Sequence, residues 1–93
     1  MKVSWSERAL VQLKKAHEYI ARDNAKAARE FVEAAEALAA VLGTHPGIGI
    51  ETDERGVIVF PLVRYRYFIF YKILSESEVR IIRLRHMSRK RLD

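Results

Sequence analysis

The spacing of apolar residues changes near the middle of the chain, from a helical period to an alternating one. Before Gly43 the apolar positions recur every three or four residues, which is typical of amphipathic helices. After Gly47 apolar and polar residues alternate, which is typical of strands that bury one face. The sequence therefore predicts an α+β protein in which helices cover one face of a sheet.

The first residues of the chain predict a short strand and a capped helix. Residues 2–5 alternate as a strand does. Ser6 follows and can accept a hydrogen bond from the first turn of a helix, where Glu7 meets the favourable end of the helix dipole. Apolar residues then recur at helical spacing until the Arg-Asp-Asn break at 22–24.

A second helix is predicted from Ala25 to about Leu42. Asp23 or Asn24 can cap its start, and Gly43 can end it in the left-handed conformation. Its apolar positions follow a three–four spacing that suits packing against a sheet or another helix. Because the connection between the two helices is very short, we expect them to form an antiparallel hairpin.

The second half of the chain predicts three consecutive strands, at residues 57–63, 64–74 and 79–85, joined by short turns. Such strands form an antiparallel meander. Pro61, near the end of the first of them, indicates an edge position or a bulge. We therefore expect residues 1–93 to form one domain with a short N-terminal strand, an antiparallel helix hairpin and a three-stranded antiparallel meander.

Alternation along the last two strands sorts their side chains into two faces. One face has no charge in its middle and carries Tyr65, Tyr67, Ile69, Tyr71, Ile73, Ile82, Leu84 and His86, with Arg80 at the start of the last strand. We place this face under the helices, because its apolar middle needs cover from water.

The opposite face combines cations with two phenylalanines: Arg64, Arg66, Phe68, Phe70, Lys72, Arg83 and Arg85. Strict alternation also puts Val79 and Ile81 on this side. Two alternatives remain open for the face. The long arginine stems cover the rings and carry their charges to water, or the rings and cations form a groove for another chain or for RNA, which is the reading we favour.

The formal net charge of +5 belongs mainly to the second half of the chain. Residues 48–93 carry ten basic and six acidic groups, against seven and six in residues 1–47. The closing stretch concentrates this charge and reads RIIRLRHMSRKR, ending in a basic tail with Arg89, Lys90 and Arg91. A polyanion and an acidic protein partner both fit this balance. Direct nucleic-acid binding is the weaker alternative, because five acidic residues lie in the turns around the sheet: Glu51, Asp53, Glu54, Glu76 and Glu78.

Several classes of chemistry find no support in the sequence. The chain has no cysteine, so a disulfide, a thiol nucleophile and a cysteine zinc site are excluded. Its three histidines, His17, His45 and His86, lie far apart, so we expect no metal and no cofactor. No apolar run approaches the ~18 residues that span a bilayer, and the N-terminus lacks the apolar core of a signal peptide. We expect a cytoplasmic protein without membrane contact.

Metal-free RNA cleavage remains a possible chemistry, because it needs only a base, an acid and a group that stabilises charge. Arg66, Arg83 and Arg85 could stabilise charge, and His86 or Tyr71 could move protons. Alternation nevertheless places His86 and Tyr71 on the covered face, away from the arginines. We therefore expect a structural role for His86 and a protein that is not an enzyme.

Short motifs follow one another along nearly the whole chain in a recognisable order and spacing. They are Trp5-Ser6, Ala9, Leu13, Tyr19-Ile20, Asn24-Ala25, Ala27-Ala28, Phe31, His45-Pro46, Gly49, Phe60-Pro61, Tyr67, Ile69-Phe70-Tyr71 and Ile82-Arg83-Leu84-Arg85-His86-Met87-Ser88-Arg89. Together they resemble the ParE branch of the RelE/ParE toxin superfamily. Ala25 departs from the family pattern, which usually has proline at the first helical position, but alanine fits there equally well.

This resemblance implies the toxin half of a bacterial type II toxin–antitoxin pair. ParE-type toxins inhibit DNA gyrase, whereas RelE-type relatives are ribosome-dependent mRNA endoribonucleases. The ending with His86 and Arg89 is similar to the ParE form and lacks the tyrosine expected near the end of RelE-type chains. The resemblance thus favours gyrase as the target, with a RelE-like nuclease built on Arg66, Arg83 and His86 as the alternative.

The resemblance also implies a cognate ParD-like antitoxin as a partner. We expect the antitoxin to lay an acidic, partly disordered segment over the helix hairpin and the basic face of the sheet, because folding on binding lets such a segment wrap a large surface. The residues expected to contact the antitoxin or the target are Arg64, Arg66, Phe68, Phe70, Lys72, Arg83, Arg85, Arg89, Lys90 and Arg91.

Overall fold

The computed structural model describes residues 1–88, in which two helices pack on one face of a five-stranded sheet. The elements are β1 (Lys2–Trp5), α1 (Glu7–Ala21), α2 (Ala25–Thr44), β2 (Ile50–Glu51), β3 (Ile58–Leu62), a 3₁₀ turn (Val63–Tyr65), β4 (Tyr67–Ser75) and β5 (Glu78–His86). Among these described residues, neither helix is long and apolar enough to cross a membrane.

The sheet has the strand order β1-β5-β4-β3-β2. The predicted α+β class, N-terminal strand and helix hairpin agree with this fold, but a three-stranded antiparallel meander is an incomplete description. β1 joins the sheet as an edge strand parallel to β5, to which the chain returns only after the helix hairpin and strands β2, β3 and β4. β2 adds a second edge, and its two residues are too few to show an alternating pattern.

The predicted helix caps are confirmed. The Ser6 side chain accepts a hydrogen bond from the Ala9 nitrogen at 3.0 Å, and Asn24 accepts one from the Ala27 nitrogen at 3.0 Å. The predicted end of α2 is wrong, because Gly43 lies inside the helix rather than at its cap. A Cβ atom on Gly43 would lie 3.0 Å from the Met1 carbonyl oxygen. Glycine is therefore favoured there by the close approach of the first residues rather than by a left-handed cap.

The core lies between the helices and the covered face of the sheet. Small alanines of α1 and large side chains of α2 meet fully buried residues of β4 and β5: Ala9, Ala16, Phe31, Leu38, Leu42, Ile69, Tyr71, Val79, Ile81 and Leu84. Complete burial of one large apolar side chain contributes about 1.5–3 kcal/mol. These contacts fix the orientation of β4 and β5 and thereby of the side chains on the other face.

A β-bulge at Ile82 reverses the predicted sidedness of half of β5. Phe70 pairs with Arg83, but the next residue of β4, Tyr71, pairs with Ile81, so Ile82 is the extra residue. Consequently Ile81 faces the helices with no exposed surface, and so does Val79, where strict alternation had placed both on the opposite side. Ile82, predicted under the helices, is only half-buried and does not belong to the core. Arg80, predicted on the same side as Ile82, is exposed and pairs with Lys72.

The start of α1 binds the main chain at the bulge. The nitrogen of Ser6 donates to the Ile81 oxygen at 2.9 Å, and the Ser6 hydroxyl donates to the Ile82 oxygen at 3.0 Å. Further along α1, the Gln12 side chain accepts a hydrogen bond from the Leu84 nitrogen at 2.7 Å. Main-chain groups of β5 at and beyond the end of its pairing with β1 are thus satisfied by Ser6 and Gln12.

The predicted strand at 64–74 begins three residues later than expected. Val63–Tyr65 form the 3₁₀ turn, and Arg66 takes a left-handed conformation with φ 62° and ψ 40°. The main chain of Arg66 is held on both sides, since its nitrogen donates to the Val63 oxygen at 3.1 Å and its oxygen accepts from the Met87 nitrogen at 2.8 Å. The prediction that Arg64 and Arg66 lie on a strand face is therefore wrong.

Pro61 lies on an edge, as predicted. It pairs with Phe68 of β4, whereas β2 on the other side reaches only Ile58 and Val59. Beyond Val59, β3 has a single neighbouring strand, so the missing N–H of proline costs no ladder hydrogen bond on the open side.

Candidate functional site

The face of the sheet away from the helices carries a cluster of two arginines and two phenylalanines. We call it the Arg–Phe cluster: Phe68 and Phe70 of β4, and Arg83 and Arg85 of β5. The two rings are 6.1 Å apart, at an angle of 61°. The Arg83 guanidinium carbon lies 4.2 Å from the centre of the Phe70 ring, and that of Arg85 lies 5.5 Å and 5.4 Å from the two rings. Both cations therefore interact with aromatic faces.

The arginines cover the rings more completely than the groove prediction assumed. Phe70 is only 6% exposed, although no helix packs on this face. The Arg83 side chain is itself 14% exposed. The alternative in which arginine stems cover the rings thus describes Phe70, while Phe68 is half-buried at the side of the cluster.

Glu54 is an additional member of this site that sequence reasoning did not assign to it. Its carboxylate lies 3.5 Å from the Arg83 guanidinium. Glu54 belongs to the loop between β2 and β3, where its nitrogen donates to the Thr52 hydroxyl at 3.1 Å. The sequence shows Glu54 as one of several acidic turn residues, and only the tertiary fold brings it to an arginine 29 positions away.

Arg85 has a buried donor without a hydrogen-bond partner. Within residues 1–88 its Nε atom is shielded from water and bonds to no acceptor. An unsatisfied buried donor costs about 1–3 kcal/mol, and the aromatic contacts of the guanidinium offset part of that. Such groups occur at sites that serve something other than stability.

The other predicted cations within residues 1–88 lie outside the Arg–Phe cluster. Lys72 pairs across the sheet with Arg80 and continues the same face of β4. Arg80 binds Glu78 at 3.2 Å. Arg64 and Arg66 are exposed in the turn before β4 rather than beside the rings. The predicted basic tail, Arg89, Lys90 and Arg91, lies outside the described residues.

The residues of the nuclease alternative do not converge. His86 pairs with Tyr67 on the helix side, where the two rings lie 5.0 Å apart at 90°. Arg83 extends from the opposite face, and Arg66 lies in the turn. The hydroxyl of Tyr71 is also committed elsewhere, since it donates to the Pro46 oxygen at 2.7 Å and accepts from the Gly49 nitrogen at 3.0 Å. Burial raises the pKa of Tyr71, against a smaller lowering by the Gly49 hydrogen bond.

The outer face of α1 is a second surface. The sequence predicted that the antitoxin covers the helix hairpin, but assigned no residue of α1 to that contact. Its exposed apolar residues are Leu10, Val11 and Tyr19, exposed by 50%, 53% and 59%. Exposed cations stand among them: Arg8, Lys14, Lys15 and Arg22. A helical wheel could have identified this mixture, because it leaves the helix apolar on part of its solvent side.

A cleft of about 470 Å³ separates α1 from the end of β5. Its walls come from both elements and from the start of β4: Lys15, Ala16, Glu18, Tyr19, Arg22, Tyr67, Leu84, Arg85, His86 and Ser88. About sixty residues of sequence separate its two walls, so no local pattern predicts it. The described residues contain no group of three or more histidine or acidic side chains placed to bind a metal ion.

Comparison with known proteins gives the chain a family. The model of a family described as the ParE toxin of the type II toxin-antitoxin system parDE matches residues 3–91. A solved structure described as a chromosomal ParDE TA system from P. aeruginosa is similar to 95% of this chain and 97% of its own, with a TM-score of 0.75 and 20% sequence identity. Identity this low supports a shared fold. No curated protein matches the sequence.

Proposed function

The chain belongs to the ParE toxin family of type II toxin–antitoxin systems, and we propose that it acts by binding DNA gyrase and inhibiting it, without catalysing a reaction of its own. The Arg–Phe cluster carries this proposal. It presents cations from a rigid sheet, and Arg85 keeps a buried donor without a partner within residues 1–88. The separation of Arg66, Arg83 and His86 supports binding over catalysis, because acid–base chemistry requires its groups within hydrogen-bond reach of one substrate.

We assign the target contacts to the cluster and the cations around it. A guanidinium already oriented over a ring loses little conformational freedom when it binds, which favours Arg85 as the central contact. Lys72 extends the face along β4, and Arg64 and Arg66 add exposed cations in the turn before β4. We propose that Arg89, Lys90 and Arg91, which lie outside the described residues, also contact the target.

The ParDE family implies a cognate ParD-like antitoxin, and we propose that it neutralises the toxin by covering two surfaces. One is the outer face of α1, where Leu10, Val11 and Tyr19 are exposed among cations. The other is the Arg–Phe cluster. An acidic segment that folds on binding suits both, because the chain carries a net charge of +5 and the segment can bury the exposed apolar side chains.

Supercoiling of plasmid DNA by purified gyrase tests this function. Addition of the full chain should stop supercoiling, and Arg85→Ala should weaken the inhibition at least about tenfold, a loss of ~1.4 kcal/mol in binding. Arg29→Ala is the matched control, since Arg29 is an exposed arginine on α2, away from the sheet face. Unchanged supercoiling at saturating toxin would refute the proposal.

The RelE-like alternative makes a separate prediction. A ribosome-dependent nuclease would cut message when the full chain is added to a translating extract. We expect the message to remain intact, because the three residues of that alternative do not meet. Cleavage that Arg83→Ala abolishes would replace gyrase inhibition with nuclease activity as the function.

A further inference from the structure

The cleft between α1 and the end of β5 has no role in the proposed binding of gyrase. One wall carries Lys15 and Tyr19 of α1 and its C-cap residue Arg22, which follow one another at about one helical turn, so Tyr19 stands between two cationic residues along the helix. His86 and Ser88 form the wall opposite. At about 470 Å³ the cleft falls within the range of small-molecule sites and is far larger than one inorganic ion requires.

The two cations of the cleft are available to an anion. Within residues 1–88, neither Lys15 nor Arg22 lies in an ion pair, and Glu18 is the acidic side chain that lines the cleft. Arg85 also lines it, but its guanidinium lies over the phenylalanine rings on the other face of the sheet. The Ile20 carbonyl near the end of α1 accepts hydrogen bonds from the main chain of the following turn, at 3.0–3.2 Å, so it is already satisfied.

His86 adds a hydrogen-bond donor of defined position. Its Nδ1 atom accepts from the Ser88 nitrogen at 3.1 Å and lies 2.7 Å from the Ser88 hydroxyl. An accepting Nδ1 puts the proton of the neutral ring on Nε2. The ring is held edge to face against Tyr67 at 5.0 Å and Tyr19 at 6.4 Å. These contacts therefore hold the Nε2–H donor of His86 in position without a ligand.

An exposed aromatic ring beside cations and a fixed donor matches a ligand that joins a planar ring to an anion. Tyr19 is 59% exposed and touches His86 only at ring-contact distance, so a flat ligand could stack on it. We propose that this cleft binds a nucleoside monophosphate. Its base stacks on Tyr19, and its phosphate binds Lys15, Arg22 and the Nε2–H group of His86.

Calorimetric titration of the full chain tests the site with four probes: GMP, AMP, guanosine and inorganic phosphate. Both monophosphates should bind with a Kd of about 1 mM or below. Guanosine and phosphate should each bind at least about tenfold more weakly, because each supplies half of the interactions. Tyr19→Ala and Arg22→Ala should each weaken GMP binding by a similar factor.

Two substitutions on the same helix serve as controls. Val11→Ala and Lys14→Ala remove an exposed apolar residue and an exposed cation that do not line the cleft, and GMP binding should not change. Absence of GMP and AMP binding overturns the proposal, and so does phosphate binding as tightly as GMP, which would indicate an adventitious anion site only. Gyrase inhibition is measured separately, so neither proposal depends on the other.

Discussion

Arg83 and Phe70 pair directly across β5 and β4, and the guanidinium carbon of Arg83 lies 4.2 Å from the centre of the Phe70 ring. This pair is the last one before the bulge at Ile82, so it marks the point where the sidedness of β5 changes. The ring is almost completely buried by side chains rather than by a helix. Arg83 therefore stabilises the fold and also contributes positive charge to the face of the sheet away from the helices.

Arg83→Ala should lower the free energy of unfolding by about 1–2 kcal/mol. The substitution uncovers Phe70 and removes the contact between cation and ring, whose energy is about 1 kcal/mol at a partly exposed site. Urea denaturation measures the change. Arg29→Ala, on the exposed side of α2, should change stability by no more than about 0.5 kcal/mol. Equal stability of the two variants would show that the stem of Arg83 does not protect the ring.

Glu54→Gln should strengthen the proposed inhibition of gyrase. The Glu54 carboxylate lies 3.5 Å from the Arg83 guanidinium and reduces the positive charge that the Arg–Phe cluster offers to a target. Half-exposed ion pairs contribute at most about 1 kcal/mol, so the fold should tolerate the loss. The measurement is the toxin concentration that halves supercoiling, with Glu51→Gln in the exposed β2 as control. Weaker inhibition by Glu54→Gln would mean that the loop forms part of the binding surface.

Local signals in the sequence were sufficient for the helices. Ser6 and Asn24 cap α1 and α2 because short polar side chains at a break in periodicity satisfy the first free N–H groups, and nothing distant competes with them. The same holds for Pro61, whose chemistry excludes it from a strand with two neighbours. At these positions the determining interactions involve residues close together in the sequence, so the local pattern is sufficient to predict the structure.

Prediction failed where the outcome depends on distant partners. The bulge at Ile82 cannot be read from alternation, since Ser6 and Gln12 of α1 satisfy the main chain around it. The hydrogen bond from the Met87 nitrogen to the Arg66 oxygen holds Arg66 in its left-handed conformation. Because the residue is not a glycine, the sequence does not indicate this conformation. For the candidate site, alternation correctly brought Phe68, Phe70, Arg83 and Arg85 together. It could not find the Glu54 contact or the cleft, because both join segments far apart in the chain.

Gly49→Ala should destabilise the protein by about 1–3 kcal/mol or more, through overpacking. A Cβ atom at Gly49 would lie 2.6 Å from Ile58, 2.7 Å from the Tyr71 hydroxyl and 2.8 Å from the main-chain oxygen of Val59. The chain offers a matched control in Gly47, where a Cβ atom would meet nothing within 4 Å. Thermal unfolding of the two alanine variants measures the difference, and similar midpoints would contradict the packing described here.

Tyr71→Phe should lower the free energy of unfolding by about 1–3 kcal/mol. It should also change how that free energy depends on pH. The substitution leaves the Pro46 oxygen and the Gly49 nitrogen without their partner in a partly buried place. Because burial raises the pKa of Tyr71 above its ordinary value of 10.0, the unfolded chain ionises first as the pH increases. The contribution of this group is therefore complete below about pH 10 and is lost as the pH rises toward the higher pKa of the folded state.

The difference in unfolding free energy between the wild-type chain and Tyr71→Phe isolates this group, since the other tyrosines and the lysines are common to both. That difference should be constant from neutral pH to about pH 10 and should shrink above it. Tyr19→Phe is the control, because Tyr19 is exposed and its substitution should not produce the loss of stability. A difference that grows with pH would require the phenolate of Tyr71 to be stabilised in the folded protein, and would reverse the assignment of desolvation as the dominant cause.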